Sequence, residues 1–166
     1  MRILRNVLIA AVIALLATPS APTAARAADN RCWEPRRGEL AFTGLINGAR
    51  GANGQGKLSL DPELSRAARV HSREMVEANT LYHTPDRALR TRVTNWAILG
   101  ENVGVGSTVA SLHEAFMKST LHRANVLHAG FRHVGIGTLR KDGRLWVTII
   151  FEGVTDPGTP LWMPSC

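Results

Sequence analysis

Histidine and glutamate are the residue types in this chain with the most evident chemical potential. A neutral imidazole can ligate a metal or move a proton, and a nearby carboxylate can fix its tautomer or accept that proton. Ser111 to Leu127 carries one such pair, Glu114 and His122. Val109, Leu112 and Phe116 recur at helical spacing, so the stretch opens as an amphipathic helix. Ser119 and Thr120 favour caps over helix interiors, so a second short helix is expected to start there. Glu114 then sits on one element and His122 just past a corner, where two rigid pieces can converge on one point. His83 and Glu101, each in a short polar segment, supply a second pair.

The plainer readings of these residues are specific. Glu114 stands four residues before Lys118, a spacing that suits a surface ion pair. Glu101 could simply bond loop backbone. His71 lies on the apolar stripe of a helix with Leu64, Ala67, Ala68, Met75 and Ala78, and reads as a core histidine bonded to backbone. His113 reads as packing at a helix margin. His128 and His133 flank Gly130 and Phe131, and nothing in the sequence pairs them with a carboxylate. No Gly-x-Ser-x-Gly, His-Glu-x-x-His or Cys–His nucleophile pattern is present.

The elements that must position these groups can be traced in order. A first helix is expected over 38–49, ended by Gly51, Asn53, Gly54 and Gly56. Asp61 can cap a second helix, with Pro62 in its first turn and Glu63 at its positive end, running to about Asn79. Arg87 to Thr94 suggests a short helix, and Trp96 to Val105 a strand interrupted at Gly100-Glu101-Asn102. Phe131 to Leu139 and Leu145 to Phe151 form a hairpin turned at Asp142-Gly143. The second hairpin strand is apolar at nearly every position, which suits a central strand covered on both faces. The expected fold class is α/β, a three-layer α/β/α sandwich with a small, mainly antiparallel central sheet.

Length and composition bound the address. The 166 residues suit one domain. Arg2 and Arg5 precede an apolar run from Val7 to Ala17, and Ala25-Arg26-Ala27 fits a cleavage site, so residues 1–27 read as a secretory signal peptide. The run is too short to span a bilayer, and no transmembrane segment is expected after cleavage. Residues 28–37 read as an extended leader, 38–153 as the domain and 154–166 as a C-terminal tail. The formal charge is +7, and loss of Arg2, Arg5 and Arg26 leaves about +4. The remaining arginines are scattered without interleaved aromatics, so nucleic acid is not an expected partner. Cys32 and Cys166 lie at opposite ends; export and an even count favour a disulfide that ties leader to tail, and a reactive thiol or metal ligand is the alternative.

Leu60-Asp61-Pro62-Glu63-Leu64, His71-Ser72, Tyr82-His83-Thr84, Gly100-Glu101-Asn102-Val103, His122-Arg123-Ala124-Asn125-Val126-Leu127, Val134-Gly135-Ile136-Gly137 and Trp146-Val147 occur in this order. The series resembles the CAP superfamily of cysteine-rich secretory, antigen 5 and pathogenesis-related proteins, and within it the bacterial SCP-like extracellular domains. The resemblance covers roughly residues 40–152. It implies an α/β/α sandwich and a cleft built from His83, Glu101, Glu114 and His122. It also implies a divalent ion, zinc or another, held weakly by His83 and His122 with the glutamates close by. Leu121 stands where the bacterial pattern has glycine, which would alter the shape of the cleft, and Phe116 stands where the family often has tryptophan. The expected function is a secreted, monomeric binding module, extracellular or in the cell envelope, for a small apolar or envelope-derived ligand. The rival class is a metal-dependent hydrolase of peptide or envelope substrates, with Glu101 and Glu114 as its catalytic residues; a purely structural or signalling envelope protein is the third.

Overall fold

The computed structural model describes residues 33–94 and 96–153. The expected signal peptide, the Cys32–Cys166 pair and the tail from 154 onward lie outside the described residues. Helix α1 spans Arg37–Ala52, strand β1 Ser59–Leu60, α2 Pro62–Ala78, α3 Asp86–Arg92 and β2 Ile98–Gly106. Helices α4, Val109–Lys118, and α5, Thr120–Leu127, precede the hairpin of β3, His133–Lys141, and β4, Arg144–Gly153.

The strands form one sheet in the order β1-β3-β4-β2. The β3–β4 and β4–β2 pairs are antiparallel, and only the β1–β3 pair is parallel. The continuous apolar run of β4 places it between β3 and β2. Its Leu145, Val147, Ile149 and Phe151 face Phe42, Ile46, Phe116 and Val126 of α1, α4 and α5. Its Ile150 faces Leu64, Ala67 and Ala68 of α2, and Trp146 faces Met75 and Val76. Helices therefore cover both faces, giving the expected three layers.

Helix α2 lies directly on β3 because two glycines remove the intervening side chains. A Cβ on Gly135 would stand 2.1 Å from the carbonyl carbon of Leu64, and one on Gly137 would stand 2.2 Å from that of Ala68. Val134 and Ile136, alternating with them, fill the opposite core. The contact is then fastened by Ser72 Oγ, which donates to Gly137 O at 2.9 Å and to Thr148 Oγ1 at 3.0 Å. Asp61 caps α2 as expected, accepting the Leu64 N–H at 2.8 Å.

Two local expectations change. The strand expected to break at Gly100-Glu101-Asn102 is continuous, and these residues pair in register with Phe151, Ile150 and Ile149. Gly100 is there for space, since its Cβ would meet Phe131 Cζ at 2.8 Å. Ser59–Leu60, read as the lead-in to α2, forms a two-residue strand on β3. Two residues carry no periodicity, so only the tertiary partner reveals them.

Two variants test this packing by urea unfolding. Ile149→Ala, fully buried in β4, is expected to cost about 2–5 kcal/mol; a cost below about 0.5 kcal/mol would mark a surface position and refute the central placement of β4. Gly135→Ala is expected to cost about 1–3 kcal/mol or more, because the clash is with backbone and cannot be relieved by a side-chain rotation.

Candidate functional site

Successive residues of β2 point to opposite faces of the sheet, and this alternation assembles the site. Glu101 points to the α2–α3 layer. Its Oε1 accepts from Thr84 N–H at 2.9 Å and from His83 Nδ1 at 2.8 Å, and its Oε2 accepts from Thr84 Oγ1 at 2.5 Å. The Glu101 side chain is 5 % exposed and that of His83 is 60 % exposed. The buried carboxylate thus anchors an imidazole that reaches into solvent. With Nδ1–H committed to Glu101, neutral His83 presents the Nε2 lone pair outward.

The segment leading to His83 is held from behind by His71. That ring is fully buried, with Nε2 2.8 Å from Tyr82 O, Nδ1 3.1 Å from Glu74 Oε2, and Tyr82 packed edge-on. His71 is a packed, backbone-bonded histidine whose carbonyl partner immediately precedes His83.

Asn102 points to the opposite layer. Its Nδ2 donates to His122 O at 3.0 Å, while Asn125 Nδ2 donates to Asn102 Oδ1 at 2.9 Å and to Glu101 O at 3.1 Å. These bonds staple α5 to β2. Buried Arg50 secures the far end of α5, donating to Val126 O at 2.8 Å and His128 O at 3.0 Å, where the helix leaves its last carbonyls unpaired. The His122 ring packs edge-on against Phe116, with centroids 5.0 Å apart. Burial, and then the charge of neighbouring His83, push His122 below the ordinary imidazole value of 6.5. The two histidines therefore come from opposite layers, near enough for His83 to act on His122.

Glu114 takes no part in these contacts. It is 66 % exposed on α4, where Lys118 donates to it at 2.6 Å and holds its carboxyl below the ordinary glutamate range. The i,i+4 pairing expected as the plainer reading is the one present. Leu121 is 80 % exposed on the first turn of α5, directly before His122, so it adds an apolar surface beside the site and does not fill it. Among the described residues, no group of three or more His, Cys, Asp or Glu side chains is arranged to hold a metal ion. Sequence reasoning gave no role to Asn102, Asn125 or Arg50. The first two stand inside the Gly100-Glu101-Asn102 and His122-Arg123-Ala124-Asn125 motifs, which was the available signal. It also missed the pairing of His133 with Glu152, because only strand register brings them together.

The profile of the cysteine-rich secretory protein (CAP) family matches residues 43–151. The chain belongs to the CAP family. A curated relative, the uncharacterized protein YkwD of Bacillus subtilis, is 29 % identical over 136 residues, covering 78 % of this chain. The match spans 49 % of that relative, about half its length. An extracellular protein with an SCP domain from Bacillus anthracis superposes with a TM-score of 0.64 at 22 % identity, over 70 % of this chain and 40 % of that one. NaASP2, in a structure solved with Zn2+, superposes with a TM-score of 0.53 at 12 % identity, over 79 % of this chain and 87 % of that one. These likenesses establish the sandwich as the CAP fold.

The staple between β2 and α5 yields a direct test. Asn102→Ala leaves His122 O and the Asn125 amide without their partner in a buried setting, and is expected to lower stability in urea by about 1–3 kcal/mol. Asn53→Ala, at an exposed bond from Arg123 at 3.1 Å, serves as the control and is expected to change stability by less than about 0.5 kcal/mol.

Proposed function

We propose that the protein is an exported CAP-domain binding protein whose cleft takes a divalent cation such as zinc, weakly, together with a small apolar or envelope-derived ligand. The observation that carries this reading is the Glu101–His83 pair, which leaves the second imidazole nitrogen of an exposed ring free, with His122 near enough to feel its charge. Both imidazoles suit zinc in their neutral form, and the buried Glu101 supplies the outer partner that ligating histidines usually have. The cation would be held by His83 and His122. Two protein ligands leave positions open to water and ligand, so binding is exchangeable. When bound, the ion would offer a Lewis-acid contact to a carboxylate or phosphate oxygen of the ligand. The exposed Leu121 beside His122 suits an apolar group on the same ligand. The zinc present in the NaASP2 structure supports the choice of metal, and the extracellular character of the Bacillus anthracis protein supports export.

The hydrolase reading is favoured by one feature, the carboxylate–imidazole pair itself. Glu101 orients His83 so that Nε2 can accept a proton from a water or hydroxyl at the cleft. Release of peptide or ester product that stops on chelation would establish that reading over simple binding.

Isothermal titration with zinc decides the metal proposal. His83→Ala and His122→Ala are each expected to remove most of the affinity. Glu101→Gln is expected to weaken it roughly tenfold to a hundredfold while the fold persists. Glu114→Gln is expected to leave it unchanged, because its carboxylate is engaged with Lys118 on the exposed face of α4. Protonated imidazole cannot ligate, so affinity falls as pH falls. For His122 that loss is expected below the ordinary imidazole value of 6.5, since its pKa is lowered. Equal zinc affinity in the wild type and the His83→Ala, His122→Ala double variant would overturn the proposal.

A further inference from the structure

Away from the cleft, the sheet buries a second group of ionisable side chains beneath the first turn of α2. Glu152 on β4 is fully buried, and among the described residues neither of its oxygens has a hydrogen-bond partner. His133, directly opposite on β3, places its buried and equally unpartnered Nδ1 3.4 Å from Glu152 Oε2. Asp61, 4 % exposed, stands above them as the N-cap of α2. A buried carboxylate with no donor is costly, and native structures retain one only with a reason.

The surroundings indicate the reason. From α2 and its cap, the charged groups that act on Glu152 are Asp61 and Glu63, both acidic. From β3 there is His133, and from β2 the residue opposite is the uncharged Leu99. Arg132 turns its guanidinium to Ala129 O and Phe131 O. Arg66 and Arg92 line a separate surface hollow of about 190 Å³ with Glu63. With the Asp61 carboxyl accepting the Leu64 N–H, a second bare carboxylate in the same apolar site finds, among the described residues, only the His133 ring to share a proton with.

We propose that Glu152 and His133 hold one shared proton and form a pH-sensitive latch that keeps the first turn of α2 closed on the sheet. Whether the proton rests on Oε2 or on Nδ1, it supplies the hydrogen bond that both groups otherwise lack. Its loss leaves the Glu152 and Asp61 carboxylates facing each other out of water. The first turn of α2 then opens, and water reaches both. Burial, reinforced by Asp61 and Glu63, pushes Glu152 up to about 7 from the ordinary 4.5. Burial also raises Asp61. The closed state thus binds a proton more tightly than the open one. The latch is fully closed below pH about 4.5 and weakens as pH rises toward and through about 7.

Amide hydrogen exchange at Leu64 and Ser65, whose N–H groups bond to Asp61 Oδ1 and Asp61 O, reads the latch directly. After correction for intrinsic exchange, the opening constant of the wild type is expected to rise at least about tenfold more between pH 5 and 8 than that of Glu152→Gln, which carries no titratable proton. Parallel pH profiles in the two proteins would overturn the proposal. A measurement on the wild type alone guards against a variant that fails to fold. The Glu152 carboxyl carbon, followed by NMR, is expected to titrate with a midpoint near 7. A Glu152 midpoint in the ordinary carboxylate range would equally overturn it.

Discussion

Strand β2 imposes the constraint on which the site depends. Neighbouring residues of a strand must project to opposite faces, so Glu101 and Asn102 are committed to different layers. Each then captures a segment of its own layer: Glu101 takes His83 and Thr84, and Asn102 takes the backbone of α5 at His122. Among the described strands β2 ends the sheet beside β4, and the two captured segments lie on its opposite faces. Neither layer alone holds both histidines. The site is a product of the complete sandwich, and anything that shifts β2 against β4 moves both histidines.

The sandwich itself rests on close backbone approach between α2 and β3 at Gly135 and Gly137. Such proximity removes apolar side chains from the contact, and hydrogen-bonded polar groups replace them. Ser72 and Thr148 are both fully buried and bonded to each other, and Ser65 Oγ accepts from Ile136 N–H at 3.3 Å. Asn102, also fully buried, is bonded on both sides of its amide. Trp33 Nε1 and His113 Nδ1 are buried without a partner among the described residues, and so are the facing atoms of Glu152 and His133. Those of Glu152 and His133 are confined to one end of the sheet, below the cap of α2, and are distinct from the partners that hold His83 and His122.

Positive charge is handled differently. Arg50 is almost fully buried without an ion-pair partner among the described residues, and three backbone carbonyls take its donors, at Gly56, Val126 and His128. The planar guanidinium suits this role, since its fixed donors can bridge the end of α5 and the loop after α1 at once. Arg69 makes the contrasting choice, gripping fully buried Glu39 with two bonds of 2.6 Å and so joining α1 to α2. One arginine fixes the helix that carries His122, and the other ties the outer layers together.

What the sequence determined by itself were features set by local or periodic chemistry. Asp61 and Pro62 start α2, Ser119 and Thr120 separate α4 from α5, Asp142-Gly143 turns the hairpin, and the apolar run of β4 requires cover on both faces. These depend on capping, backbone conformation and burial, each written within a few residues. His83, Glu101 and His122 stand out in the sequence because each lies in a short motif. Tertiary structure alone decided which of the candidate residues belong together. It turned Glu114 outward to Lys118, since its position around α4 is fixed by the face that Leu112 and Phe116 bury. It made Asn102 and Asn125 the link between two motifs that are 20 residues apart. It also set His133 against Glu152, a pairing that exists only in the register of β3 on β4. A side chain's partner across a sheet or between layers depends on the packing of the whole chain, and no local spacing encodes it.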